Sequence, residues 1–378
     1  MGRRRNSNSF NMFSSLIHNL KNANYSIIIA SLLLTAMGLV NMFSVSYSQH
    51  ADYFSKQAMW VGIGVIVFML FASIDYRIFK NYPLFLVMLY VIALFLLGAV
   101  LVVGSRVNGS KSWFHFGPVA FEPVEMMKVI ILMVWAKYFS QRHKEIFDFK
   151  NILISGVYML LPVGLVMLQP DLGSALILVA AWLGITLFVG IKPRHLLIVL
   201  VSFLIVGVLG WHFFLHPYQK DRLLTFLHPQ QDPLGAGYNI TQALVAVGSG
   251  GVFGTGAGQG SQITMGFLPA AQSDFIFASL VEEWGMIGGV VVIGLFVYLI
   301  WQIASVALKA ENNFARIFVS GVALLFFVQM FINIGMNIGI LPITGIPLPF
   351  FSYGGSNLVT TFALLGLVES VAMRRSLG

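Results

Sequence analysis

The stretch YSIIIASLLLTAMGLVNMFSV, residues 25–45, decides the fold. It carries no Asp, Glu, Lys or Arg over 21 residues, and about 20 apolar residues in a helix cross the hydrocarbon core of a bilayer. Arg3-Arg4-Arg5 ahead of it could open a signal peptide. The run continues past Val45 with no clear cleavage site, so it reads as a span. Working outward, comparable runs recur at about 57–74, 82–103, 124–139, 152–168, 172–190, 196–215, 275–303, 315–341 and 353–372. The expected fold is therefore an all-α polytopic membrane protein of about ten transmembrane helices. Its parts are an N-terminal tail (1–24), one membrane domain (25–372) containing a large extracytoplasmic loop (216–273), and a C-terminal tail (373–378).

Composition agrees. Hydrophobic residues make up 58% of the 378 and charged ones 10%, whereas a soluble domain carries about 25% charged residues. A soluble enzyme is excluded. The absence of cysteine removes disulfides, thiolate metal sites and a cysteine nucleophile. The eight histidines show no ligand spacing for zinc.

The net charge of +8 is topogenic. With an even number of spans and the N-terminus in the cytoplasm, 16 of the 22 Lys and Arg residues fall on inner segments, near Arg77, Arg142, Arg194, Arg316 and Arg374. Six (Lys56, Arg106, Lys111, Lys128, Lys220 and Arg222) fall outside. This bias follows the positive-inside rule and gives no reason to invoke nucleic acid. Inner connections are short. The outer ones, at 104–123, 216–273 and 342–352, are long and rich in Gly, Pro and aromatics, so function is expected on the outer face. Within the longest, 238–247 is apolar enough for an interfacial helix.

Ionisable groups at outer span mouths are the candidates for chemistry. In Glu122-Pro123-Val124-Glu125-Met126-Met127-Lys128, Pro123 suits the first helical position and Glu125 a first-turn carboxylate. Lys128 lies at i+3 from Glu125, where the two can pair, or it can simply snorkel to the surface. At such a mouth, solvent is expected to rehydrate an acid left alone, so Lys128→Ala should lower activity more than stability. Asp171 reads as a helix cap. Asp274, in Ser273-Asp274-Phe275, is either a cap or a general base, and helical spacing does not pair it with Glu282 or Glu283. Trp113 is either an interfacial aromatic or a platform for a sugar ring. Arg222, Lys111 and Lys128 could neutralise an anionic headgroup or pyrophosphate, whereas Lys220 reads as a solvated charge. The glycine-rich Gly254-Thr255-Gly256-Ala257-Gly258-Gln259-Gly260 lacks a P-loop's Lys-Ser/Thr and reads as a tight re-entrant turn where backbone meets backbone or ligand.

Five blocks in order (Asn108-Gly109-Ser110-Lys111-Ser112-Trp113, Gln169-Pro170-Asp171-Leu172-Gly173, Asp232-Pro233-Leu234-Gly235-Ala236-Gly237-Tyr238, Ser273-Asp274-Phe275-Ile276-Phe277 and Pro347-Leu348-Pro349-Phe350-Phe351-Ser352-Tyr353-Gly354-Gly355-Ser356) resemble the SEDS family of bacterial cell-wall polymerases (shape, elongation, division, sporulation). The third block and the Lys-Ser-Trp context are closer to the RodA branch than to FtsW. The resemblance implies a ten-helix glycosyltransferase that polymerises lipid II beside a class B penicillin-binding protein. It puts Asp274 at the essential aspartate position, Trp113 at a functional tryptophan, and Glu125 and Lys128 in the central cavity. The chain departs from the family pattern at Glu122, Val124, Ala270 and Gln272. No cofactor is expected, because the donor sugar arrives activated, although a divalent cation could assist at the pyrophosphate. A lipid II flippase and a non-catalytic scaffold for the penicillin-binding protein are the alternatives.

Overall fold

The computed structural model describes residues 23–107, 110–117, 119–142, 148–213, 217–227 and 235–374. Most of both expected tails, Asn108-Gly109 and Asp232-Pro233-Leu234 lie outside these residues. Among the described residues, nine helices are long and apolar enough to cross a membrane. They are α1 (Tyr25–Gln49), α2 (Tyr53–Ser73), α4 (Pro83–Val103), α6 (Phe149–Leu168), α7 (Leu172–Val189), α8 (Pro193–Phe213), α12 (Ile276–Leu308), α13 (Asn313–Asn337) and α14 (Gly355–Met373). The tenth expected span is α5 (Pro123–Ser140), and it carries three charged residues, Glu125, Lys128 and Lys137. It is buried along most of its length, so its charges face protein instead of lipid. Helix starts and ends differ from the sequence expectation by a few residues; α2, for example, begins at Tyr53 instead of 57.

α13 and α14 form the centre, with 78% and 89% of their apolar windows buried. α8, at 6%, lies on the periphery. α14 packs against α2 so closely that a Cβ at Gly366 would meet the Phe68 carbonyl at 2.6 Å. Such small-residue approaches stand in for a hydrophobic drive that lipid cannot supply between helices. One end of the bundle is tied by basic residues. Arg77 pairs with Glu311 at 3.1 Å, and Arg374 donates to the carbonyls of Ala72 and Ser73. The short α3 (Arg77–Asn81) lies there too.

Three features were not anticipated. Residues 105–121 form an antiparallel three-stranded sheet, β1 (Ser105–Val107), β2 (Ser110–Phe116) and β3 (Val119–Phe121), with Trp113 opposite Ser105 and Phe114 opposite Phe121. The aromatic-rich strand turns at Gly117, whose φ of +62° suits glycine. Pairing satisfies backbone groups that an open loop would leave to water.

The long loop, in turn, is largely helical, with α9 (Pro217–Leu227), α10 (Ala236–Ser249) and the one-turn α11 (Ser261–Thr264). α10 contains the expected 238–247 helix. Its Ile240, Ala243 and Ala246 are buried in a second apolar cluster with Phe275 and Ala278, so one face is held by protein rather than lipid.

The third correction concerns the span expected at 275–303. α12 is 33 residues long, and its helical backbone breaks at Gly285 (φ 69°, ψ −173°). A Cβ at Gly289 would lie 3.3 Å from the Phe277 ring, although 12 residues of straight helix separate two positions by about 18 Å. The helix therefore doubles back. A short arm of 276–284 leans on a second arm of 286–308, and the second arm is the span. The glycine-rich loop wraps the break: Gly254 and Gly285 sit where a Cβ would meet backbone at 2.1 and 2.3 Å. The expected re-entrant turn of backbone against backbone is found here.

Candidate functional site

The site is built on the segment 343–357, which runs from the α13–α14 connection into the first turn of α14. At one end of it lies Asp274, just before the short arm of α12. Phe275 is the residue preceding that helix, and no side chain caps it. Asp274 is held through its backbone instead: its carbonyl accepts from Asn337 Nδ2 at 2.9 Å and Asn333 Nδ2 at 3.2 Å. Asn337 Oδ1 in turn accepts from the Ala278 N–H at 2.9 Å, and Asn333 Nδ2 also donates to the Ile346 carbonyl at 2.8 Å. Ser352 Oγ donates to the Ser273 carbonyl at 2.7 Å while accepting from the Leu348 N–H, and the Tyr353 N–H donates to Gln272 at 2.8 Å. Gln57 closes the frame on the Ser352 carbonyl at 3.1 Å.

The Asp274 carboxyl is thereby left for chemistry. Gly345, at φ +73°, passes beside it, and a Cβ there would come to 3.8 Å from Oδ2. Burial pushes the carboxyl above its ordinary value, while Arg222 and the Ser273 hydroxyl pull it back. A carboxylate whose proton affinity is raised by desolvation and moderated by one cation has the electrostatics of a general base.

At the other end of the segment, Lys128 Nζ donates to Glu125 Oε1 at 2.7 Å, with side chains only 2% and 4% exposed. Asn357 Nδ2 approaches the same oxygen at 3.4 Å, and the Ser356 hydroxyl accepts from the Glu122 N–H. The first-turn position of Glu125 thus serves an ion pair, and the depth of that pair overturns the expectation that solvent rehydrates an acid left alone. The Glu122 carboxyl is raised by burial first, then by Glu125 and Asp171, with Lys128 opposing. Asp171 is the cap expected of it, accepting from the Ser174 N–H at 3.0 Å. Next to it, Gly173 lies against the Thr344 carbonyl, where a Cβ would come to 2.5 Å. Four of the five blocks singled out by sequence therefore bear on one region: Ser110 Oγ and the Lys111 N–H both donate to the Gln169 carbonyl.

The outer cations divide. Arg222, on α9, lies within electrostatic range of Asp274 and favours its charged form. Lys111 Nζ is committed to the carbonyls of Leu101 and Val102 at the end of α4, at 2.7 and 2.9 Å, and does not join the cluster. Lys220 sits 5.9 Å from the Trp211 ring. Trp113 is half-buried on β2, with its carbonyl accepting from Ser105 Oγ. Sequence reading missed Asn333, Asn337, Asn357 and Gln57. Amides inside apolar runs were the available signal, since a buried amide in a span needs partners.

A polytopic helical membrane protein with a polar, carboxylate-bearing site at one end of the bundle is the class these features define. Residues 24–377 match the FtsW/RodA/SpoVE family, described as cell cycle proteins, and the chain belongs to that family. It is similar to the peptidoglycan glycosyltransferase MrdB of Escherichia coli strain K12, at 35% identity over 317 residues, or 84% of this chain and 85% of that one. A chain of a peptidoglycan synthase complex that coordinates polymerization and crosslinking superposes with a TM-score of 0.80 at 31% identity, covering 94% of this chain and 99% of that one. The rod shape determining protein RodA of Thermus thermophilus gives a TM-score of 0.68 at 29% identity, covering 94% and 98%.

Proposed function

We propose that this chain is a peptidoglycan glycosyltransferase that polymerises lipid II on the outer face of the bacterial cytoplasmic membrane, with both termini inside and a class B penicillin-binding protein as partner. The observation that carries this is the 343–357 segment, which holds the Asp274 loop at one end and the Glu125–Lys128 pair at the other. The outward orientation rests on the basic residues gathered at the opposite end of the bundle.

In this reading Asp274 accepts the proton of the acceptor sugar's 4-hydroxyl as its oxygen attacks the donor's anomeric carbon. The new glycosidic bond forms with inversion as the bond to the diphosphate breaks, and the electron pair leaves with undecaprenyl diphosphate. Arg222 and Lys128 would offset charge on the departing diphosphate, with Lys128 tuned by Glu125. Trp113 would offer a half-buried face for stacking on a sugar ring. Lys111 contributes by fixing the hairpin rather than by touching substrate. No nucleotide is required, and a divalent cation at the diphosphate is an addition that the described side chains do not demand.

The break in α12 favours one rival, a flippase, because discontinuous helices build transport sites. Among the described residues no other helix has such a break, whereas transporters carry them in matching halves. Purified protein incubated with labelled lipid II in detergent separates the two. Glycan product appears if the chain polymerises, and none appears from a flippase or a scaffold, for which there is no compartment to cross.

A further inference from the structure

Making one glycosidic bond requires two sugars held at once, whereas Trp113 supplies a single half-buried ring. A second aromatic stands at the Asp274 end of the 343–357 segment. Between Leu348 and Asn357 that segment is buried except at Tyr353, Gly354 and Gly355, so Tyr353 is the one side chain it presents there. The Tyr353 N–H donates to the Gln272 carbonyl at 2.8 Å, and Ser352 Oγ donates to that of Ser273. Two residues of chain span at most about 7 Å. Tyr353 is thus anchored about one sugar unit from Asp274.

α2 fixes that position. Its Tyr53, Gln57 and Trp60 fall at i, i+4 and i+7, on one face of the helix. All three meet residues 352–355. Gln57 spends both ends of its amide there, Nε2 donating to the Ser352 carbonyl at 3.1 Å and Oε1 accepting from the Gly354 N–H at 3.4 Å. Trp60 lies where a Cβ at Gly355 would come to 2.2 Å from its ring. The Tyr53 and Tyr353 rings meet at 5.3 Å between centroids and 64° between planes, an edge contact. Edge-to-face packing braces a ring without laying another flat over it. Both rings are half-buried, and the two glycines after Tyr353 have no side chain to cover it.

We propose that Tyr353, braced by Tyr53, is the platform on which the acceptor sugar stacks, and that Trp113 serves the donor. The assignment rests on the glycosyltransferase reading above and follows from the end of the site that each ring occupies. Asp274 takes the acceptor's proton, and Tyr353 is tied to its loop. The hairpin that carries Trp113 runs through β3 into Glu122 and the Glu125–Lys128 turn, where the donor's diphosphate is offset.

Substrates that can play only one part separate the two platforms. Lipid II blocked at the 4-hydroxyl can only donate, and lipid II whose anomeric oxygen is replaced by methylene can only accept. The full chain, in complex with a penicillin-binding partner whose crosslinking site is inactivated, is given both, and formation of the single bond between them is followed. Tyr353→Leu should raise the acceptor KM about tenfold, with the donor KM and the saturated rate little changed. Tyr353→Phe keeps the ring and should hold the acceptor KM within about threefold of the wild type. Trp113→Ala should show the reverse pattern, in the donor KM. If Tyr353→Leu melts well below the wild type, Tyr53→Leu carries the test, because it leaves the backbone contacts of 352–355 in place and removes only the brace. It should raise the acceptor KM selectively and by less. A rise in both KM values together, a rise confined to the donor KM, a fall in saturated rate alone, or variants that match an active wild type would overturn the assignment. A wild type that forms no bond at all would refute the glycosyltransferase reading and the platform with it.

Discussion

Removing Lys128 tests how the polar site is held together. The Lys128→Ala change withdraws the ammonium 2.7 Å from Glu125 Oε1 at a place where the two side chains are 2% and 4% exposed. Glu125 Oε2 is enclosed and already lacks a hydrogen-bond partner, so the 3.4 Å approach of Asn357 to Oε1 is the contact that remains. Breaking a buried ion pair from one side costs about 3–5 kcal/mol, because it strands the other charge. That is well above the effect of a surface lysine, which is within about 0.5 kcal/mol. Glu125→Gln in the same chain removes the stranded charge. The double variant should therefore recover most of the lost stability, with a coupling of about 2–3 kcal/mol in a double-mutant cycle. Activity should not recover, because the double variant still lacks the Lys128 ammonium and leaves Arg222 alone to offset charge on the diphosphate. Thermal melting in detergent and lipid II turnover are measured on all four members of the cycle. A Lys128→Ala protein that melts with the wild type and turns over normally would refute the buried-pair reasoning. Recovery of both stability and activity in the double variant would reduce the pair to a structural feature.

Other outcomes follow from the same geometry. Trp113→Ala should impair lipid II use per folded molecule and Trp113→Phe should retain part of it, whereas a purely interfacial tryptophan would show its loss in stability with activity unchanged. Because burial raises the Asp274 carboxyl from its ordinary value of 3.8 and the base must be ionised, the acid limb of the pH–rate profile should lie above that value. Arg222 holds the carboxyl down, so Arg222→Met should move the limb to still higher pH, and an unmoved limb would separate the two residues. Gly285→Ala should prevent stable folding, since φ is +69° and its Cβ would meet the Val252 carbonyl at 2.3 Å; a well-folded variant would contradict the doubled-back α12.

The spans were legible because a bilayer imposes a length and a polarity that apolar runs record directly. α5 shows the boundary of that rule. Its charges exclude it from a hydropathy count, and only burial against α13 and α4 makes it a bundle helix. The break at Gly285 was illegible, because one glycine in an apolar run reads as a tolerated interruption. What forces the turn is the loop 250–260 wrapping it from 25 or more residues upstream. The hairpin was hidden for a related reason, since aromatic alternation over six residues also suits an interfacial loop. At the site, Asp274, Glu125, Lys128 and Asp171 could be singled out by charge near span mouths. Their grouping could not, because it depends on Ser352, Ser356 and Asn357 arriving from the far end of the chain.

The central claim is that Asp274 takes the acceptor proton. Its most direct test is single-turnover polymerisation of labelled lipid II by purified Asp274→Asn and Asp274→Ala, each in complex with a penicillin-binding partner whose crosslinking site is inactivated. Asparagine keeps the size of the side chain and the backbone carbonyl that Asn333 and Asn337 hold, but it cannot act as a base. Both variants should lose orders of magnitude in rate while melting within about 1 kcal/mol of the wild type. Substantial polymerisation by Asp274→Asn would contradict the assignment and move the search for the base to Glu125 and Glu122.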